Sequence, residues 1–352
     1  MEVFKKDIRA ISKDDLERFF IHHGAPAFKG AQVYQWLWQK GVHQFELMTN
    51  LSKTHRALLE ANFTINHIQI DRQQRSADGT LKNAVKLHDN FIVESVLIPT
   101  AKRTTACVSS QVGCSLDCTF CATAALKRMR NLNPDEIYDQ VVAMNRQSQL
   151  YYEHPLSNIV FMGMGEPLMN YANVLSAIDK ITDPKGLAMS PKRITLSTSG
   201  VPKMIRKMAD DKVRFKLAVS LHSARQEVRE KIMPFAKSFT LEDLEEALLY
   251  WYAQTKSELT FEYVVWKGIN DQKEDIQALV KWCKRIPSKV NIIQYNPIDT
   301  AQMEQADQSV LQDYLNTLAS QKIKVTYRRS RGVDIDAACG QLANKIESKG
   351  NG

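Results

Sequence analysis

No apolar run in the sequence approaches the ~20 residues that a membrane-spanning helix needs, and Met1 to Asp7 lacks the apolar core of a secretory signal. A chain that works in the cytoplasm, with no membrane partner, is the expectation. Cysteine is scarce, with 6 in 352 residues, and so few thiols in a reducing compartment do not make a disulfide scaffold. They read instead as metal-binding or catalytic groups. Only one C-x2-C pair occurs, Cys118 with Cys121, and there is no H-x3-H pair, so the paired knuckles of a common zinc fold are missing. Internal repeats and low-complexity segments are also absent, which excludes solenoids and biased linkers. Acidic residues fall short of basic ones, 39 against 47, for a net charge of +8. That imbalance suits a polyanionic partner.

What is present suffices for one large core and a smaller appendage. Residues 1–70 read as a small helical accessory domain, expected to bind RNA: Asp14-Asp15-Leu16 carries N-cap chemistry, and Val33, Trp36, Leu37 and Trp38 recur at helical spacing. Tryptophans beside basic residues could stack on nucleic acid, yet this spacing favours the core. Residues 71–103 read as a β-meander that joins this part to the rest, after an alternating stretch at Ile65 to Ile70 and around an Asp78-Gly79 turn.

From 104 to 345 short apolar runs alternate with helical stretches, the pattern of β/α units on a parallel sheet. The strands are expected at Thr105 to Ser109, Asn158 to Met162, Arg193 to Ser197, Phe215 to Ser220, Thr260 to Val265 and Val290 to Gln294, with Ile323 to Tyr327 as an extra edge. Helices are expected to start near Pro134, Tyr171, Val201, Ala224, Leu241 and Gln272. Six units are too few for a closed eight-stranded barrel, so the predicted fold is α/β, a partial open (β/α)6 barrel with a helical N-terminal domain. Residues 346–352 read as a flexible tail.

The most informative segment is Gly113-Cys114-Ser115-Leu116-Asp117-Cys118-Thr119-Phe120-Cys121. Three soft thiolates leave one position of a four-site metal centre without a protein ligand. The C-x3-C-x2-C spacing, with an aromatic residue before the last cysteine, resembles the signature of the radical S-adenosylmethionine (SAM) superfamily. That resemblance implies that Cys114, Cys118 and Cys121 bind a [4Fe-4S] cluster whose fourth iron chelates SAM. One electron then cleaves SAM to methionine and a 5′-deoxyadenosyl radical. The alternative is a structural zinc knot with Cys107 as its fourth ligand.

Ligands in β/α folds gather at the C-terminal ends of the strands. Here those ends carry the cysteine loop, the glycine-rich Gly163-Met164-Gly165-Glu166-Pro167, Ser197-Thr198-Ser199-Gly200, Ser220-Leu221-His222 and Tyr295-Asn296-Pro297. Serines also cap helices, but together these ends form a polar rim facing the cysteines. Cys107 lies in the first strand, and Cys339 sits beside Gly340 in a polar segment, where a reactive thiol is plausible. Cys283, in a helical pattern, reads as a buried filler.

With Glu94-Ser95-Val96-Leu97-Ile98-Pro99, Cys107 to Cys114, the triad, Gly163 to Leu168, Leu196 to Gly200, Ser220 to His222 and Ala338-Cys339-Gly340-Gln341-Leu342 in the same order, the chain resembles the RlmN-type radical SAM RNA methyltransferases over nearly its whole length. The resemblance implies methylation of C2 of an adenosine in 23S rRNA, and in tRNA next to the anticodon, with two SAM molecules per turnover. It implies that one SAM methylates Cys339, that a radical from a second SAM activates the S-methyl group, and that Cys107 resolves the protein–RNA adduct as a disulfide. Glu94 is implied as a proton acceptor, and Gly165, Glu166, Ser197, Ser220, Leu221, His222 and Asn296 as SAM contacts. A one-electron donor such as flavodoxin and a monomeric enzyme are expected. A relative methylates C8 instead, but Val112 and Pro167 look more like the C2 group. A zinc-stabilised RNA-binding protein and a radical enzyme acting on a protein or metabolite are the competing readings.

Overall fold

The computed structural model describes residues 5–299 and 301–344. The tail expected over 346–352 lies outside them. The N-terminal part is helical because its polar caps and apolar stripes coincide. Helix α1 (Lys13–His22) starts where Ser12 Oγ accepts the Asp15 N–H, with Asp14 and Asp15 in the first turn. Helices α2 (Phe28–Trp38) and α3 (Lys53–Asn62) come next, and Leu16, Phe20, Val33, Leu37, Trp38 and Leu59 form their shared interior. The two tryptophans part company: Trp38 is core, whereas Trp36 is half-buried with the Lys40 ammonium 3.4 Å from its ring centroid.

The rest is built on one ten-stranded sheet. Its strands are β1 (Gln69–Arg75), β2 (Leu81–Lys86), β3 (Ile92–Thr100), β4 (Arg103–Cys107), β5 (Asn158–Phe161), β6 (Ile194–Thr198), β7 (Lys216–Ser220), β8 (Leu259–Val264), β9 (Ser288–Ile293) and β10 (Lys324–Arg328). From β4 to β10 every neighbour is parallel, and the barrel is open, with β1 and β10 at its edges. The meander β1–β3 is antiparallel and hydrogen-bonded into this same sheet through β3 and β4. It therefore extends the barrel wall. The alternating stretch at Ile65 to Ile70 becomes strand only from Gln69 onward.

Crossovers are made by α4 (Pro134–Tyr152), α5 (Tyr171–Thr182), α6 (Pro202–Asp210), α7 (Gln226–Ile232) with α8 (Leu241–Thr255), α9 (Lys273–Arg285) and α10 (Gln308–Ser320). The sequence reading did not anticipate α10, although its buried Leu311, Tyr314 and Leu318 keep helical spacing. Among the described residues no helix is long and apolar enough to cross a membrane.

The N-terminal helices dock on the barrel through a buried cation. Arg9 donates to Asp135 at 3.0 Å and Asp139 at 2.8 Å, both on α4, and all three side chains are buried. The Tyr138 hydroxyl donates to the Trp38 carbonyl across the same junction. Removing one partner strands the other charges in a poor dielectric, at about 3–5 kcal/mol. Arg9→Ala should lose about that much stability in urea unfolding and should lose amide-exchange protection first in residues 5–66.

Candidate active site

Strand β4 runs out at Cys107 and feeds a long loop that carries the cysteine triad. Gly113 turns this loop with φ +74°, and a Cβ there would come within 2.4 Å of the Lys127 carbonyl oxygen. The loop is pinned to the end of α7 and to the turn after that helix: the Thr119 N–H donates to the Ile232 carbonyl and the Phe235 N–H to Asp117 Oδ1, both at 3.0 Å. Cys118 is buried among Ile232, Met233 and Trp266. Burial pushes the Cys114 thiol up to about 11 and raises Cys118 and Cys121 as well. Such thiols become thiolates only when a cationic metal takes the place of the proton.

Cys114, Cys118 and Cys121 line one cavity together with Gly165, Glu166, Ser197, Ser220, His222 and Asn296. Among the described residues no group of three Cys, His, Asp or Glu side chains is arranged to hold a single metal ion. Cys107, the extra ligand a zinc knot would need, does not line this cavity. A multi-iron cluster is larger than one ion, and its thiolates stand further apart. The soft, three-membered donor set around an open cavity fits it.

The strand ends supply the rest of the lining. Gly165 (φ +92°) brings the chain against Gln111, where a Cβ would lie 2.5 Å from the Gln111 Cβ. Buried Glu166 is held by main-chain donors, Oε2 accepting the Ser199 N–H at 2.8 Å and Oε1 the Leu168 N–H at 3.0 Å. His222 lies in the left-handed region, and its Nδ1 accepts the Val264 N–H at 3.2 Å, so Nε2 carries the hydrogen. Its ring packs edge-on against Phe120, the aromatic residue of the cysteine signature, with centroids 4.8 Å apart. Leu221 is fully buried behind this lining, its N–H bonded to the Glu262 carbonyl. Two buried amide or carboxylate oxygens in the lining, Asn296 Oδ1 and Glu262 Oε2, have no hydrogen-bond partner among the described residues. Both are acceptors available to a ligand carrying ammonium, hydroxyl or amino donors, as SAM does.

The outlying cysteines meet on the other side of Arg328. Its Nη2 donates to Cys339 Sγ at 3.1 Å, and Cys107, Cys339 and Arg328 line a second cavity. Cys339 is exposed and Cys107 buried, and both are free thiols. Burial pushes the Cys107 thiol up to about 12, with the neighbouring Cys339 adding to the effect. Glu94 lines neither cavity. It is buried in β3, 3.3 Å from the Lys82 ammonium, and its Oε2 accepts the N–H groups of Ala343 and Asn344 at 2.9 and 3.2 Å. The carboxylate thus grips the segment just past Cys339.

Known proteins resemble the chain along its whole length. Residues 6–65 match the model of the ribosomal RNA large subunit methyltransferase N-terminal domain, and residues 108–283 match the radical SAM superfamily. A probable dual-specificity RNA methyltransferase RlmN of Flavobacterium johnsoniae is 66% identical, covering 98% of this chain and 99% of its own. The dual-specificity RNA methyltransferase RlmN of Geotalea uraniireducens is 41% identical over 97% of this chain and 98% of its own. The crystal structure of a radical SAM methyltransferase from Sphaerobacter thermophilus superposes with a TM-score of 0.89 at 33% identity, covering 96% of this chain and 99% of that one.

Two lining residues escaped the sequence reading. Glu262 in β8 left a signal, a lone carboxylate in the apolar run Leu259 to Val264. Arg328 lies in the run Arg328-Arg329-Ser330-Arg331, where nothing in the sequence sets it apart from its exposed basic neighbours. Burial also sets a pH dependence. It pulls the His222 imidazole down to about 3, against about 6.5 in the unfolded chain. The unfolded state therefore binds the proton first, and stability falls as pH drops below about 6.5. Between pH 7 and 5 the cluster-free protein should lose about 2 kcal/mol more than His222→Gln in chemical denaturation.

Proposed function

As the chain belongs to the RlmN family of radical SAM RNA methyltransferases, we propose that it methylates C2 of an adenosine in 23S rRNA, and in tRNA next to the anticodon, through a methylated cysteine and with two SAM molecules per turnover. The family uses a [4Fe-4S] cluster and SAM. When bound, the cluster supplies the single electron that splits SAM into methionine and a 5′-deoxyadenosyl radical.

One observation carries this reading: Cys339 lines both cavities, facing the triad in one and Cys107 in the other. A methyl carrier must stand where SAM can reach it and where a resolving thiol can act on it, and this position meets both needs. Cys114, Cys118 and Cys121 would hold the cluster. Gly165, Glu166, Ser197, Ser220, Leu221, His222 and Asn296 would shape the SAM site, with Asn296 Oδ1 offering a free acceptor. The neutral His222 offers its Nε2–H without adding a positive charge beside a sulfonium. Arg328 donates to the Cys339 sulfur and holds it between the two cavities. Cys107 forms a disulfide with Cys339 as the bond from sulfur to the transferred carbon breaks.

Glu94 Oε2 is taken by the Ala343 and Asn344 amides, whereas Oε1, 3.3 Å from the Lys82 ammonium, accepts no hydrogen bond from the described residues and is the oxygen available for a proton-acceptor role. The basic residues Lys127, Arg128, Arg329 and Arg331 are exposed and suit RNA phosphates. Arg130 does not, for its guanidinium is spent on Glu136 and Asp89. A donor such as flavodoxin would supply the electron to a monomeric enzyme.

Anaerobic reconstitution should yield about four irons and four sulfides per chain, and Cys118→Ala should abolish the associated absorbance. One tightly held zinc with no iron would sink the reading. Cys339→Ala should still cleave SAM slowly but transfer no methyl group to RNA, and undiminished transfer would exclude the carrier. Mass spectrometry of rRNA and tRNA from cells lacking the protein should show loss of 2-methyladenosine. Loss of 8-methyladenosine in its place would point to the C8 reaction.

A further inference from the structure

Helix α7 and the turn after it touch the triad in two ways. The main chain at Ile232 and Phe235 anchors the loop on either side of Cys118. The same helix also buries a cation. Arg229 is fully inaccessible, and its guanidinium donates to the carbonyls of Ser199 (2.6 Å), Ser220 (3.0 Å) and Leu221, with Met233 Sδ 3.4 Å away. Every one of these acceptors is neutral. The Met233 side chain that the guanidinium touches packs in the same buried cluster as Cys118, which places Arg229 behind the triad. Burial draws the guanidinium down to about 10, so it remains a cation at neutral pH.

An unpaired buried guanidinium is costly, and carbonyl dipoles satisfy its hydrogens without cancelling its charge. A cluster on three thiolates carries net negative charge, which an incoming electron increases. We propose that Arg229 is the buried counter-charge of the triad, a residue that raises the reduction potential of the cluster by stabilising the added electron. Through its three carbonyl bonds it also positions the strand ends that carry Ser199, Ser220 and Leu221. It touches no reacting atom, so its role is tuning and positioning. This inference rests on the cluster reading of Cys114, Cys118 and Cys121.

The test is a redox titration of the reconstituted protein with dithionite, monitored by electron paramagnetic resonance. Arg229→Gln keeps hydrogen-bond donors but removes the charge. Met233→Glu keeps Arg229 and pairs it with a carboxylate, so the two variants reach the same electrostatic end by opposite changes. Both should take up iron like the parent, with the equilibrium for one-electron reduction about tenfold less favourable, a shift of about 59 mV. Parent-like potentials in the variants overturn the inference. So does loss of iron uptake in both, which would make Arg229 an assembly residue. A parent that loads no four-iron cluster overturns the cluster reading itself, and this inference with it.

Discussion

Residues 338–344 are sewn across the C-terminal ends of the strands by hydrogen bonds from distant parts of the chain. The Ala122 N–H donates to the Gly340 carbonyl at 2.7 Å, Thr123 Oγ1 to the Leu342 carbonyl at 2.7 Å and Asn296 Nδ2 to the Cys339 carbonyl at 3.1 Å. Glu94 takes the amides of Ala343 and Asn344 from the far side. This strap fixes Cys339 well past the end of β10 at Arg328. With it, Cys339 stands between the triad and Cys107. Two of the residues read from the sequence as ligand or proton-transfer groups, Asn296 and Glu94, thus have a second task in holding the strap.

The site manages charge by burial. Desolvation disfavours the ionised form of every group it encloses, which raises the thiols and Glu166 and lowers His222 and Arg229. What offsets this is specific. Arg328 contacts the Cys339 sulfur, and Arg229 acts on Cys118 from the core. Two arginines on different elements thereby stand beside the two sets of cysteines, the C-x3-C-x2-C loop and Cys339.

Much of this was legible beforehand because it is local. The C-x3-C-x2-C spacing is set within one loop, and the polar ends of parallel strands stand out as short motifs after apolar runs. The edge strand β10 could be seen for the same reason. Helix α10 could have been seen too, from Leu311, Tyr314 and Leu318. Other features were not legible because they depend on partners far along the chain. Nothing in the α7 sequence tells Arg229 from an exposed helix arginine such as Arg285, and only the carbonyls of Ser199, Ser220 and Leu221, at the ends of β6 and β7, receive it in the interior. Nothing beside Arg130 in the sequence shows that Asp89, 41 residues away, shares its guanidinium with Glu136. The run Glu94 to Pro99 gives no sign that Glu94 is buried, since its partners, Lys82 and the returning C-terminal strap, lie elsewhere in the chain.

The sequence by itself determined the types of candidate ligand, their spacing and the order in which the strands present them, since these are properties of contiguous residues. Tertiary structure alone decided that Cys107 and Cys339 share a cavity, that Cys339 also faces the triad, and which charges are spent inside the fold. The reason is physical. A thiol's reactivity and an arginine's availability are set by the dielectric and the neighbours around them, and those neighbours are brought there by strands and helices that the local sequence does not contain.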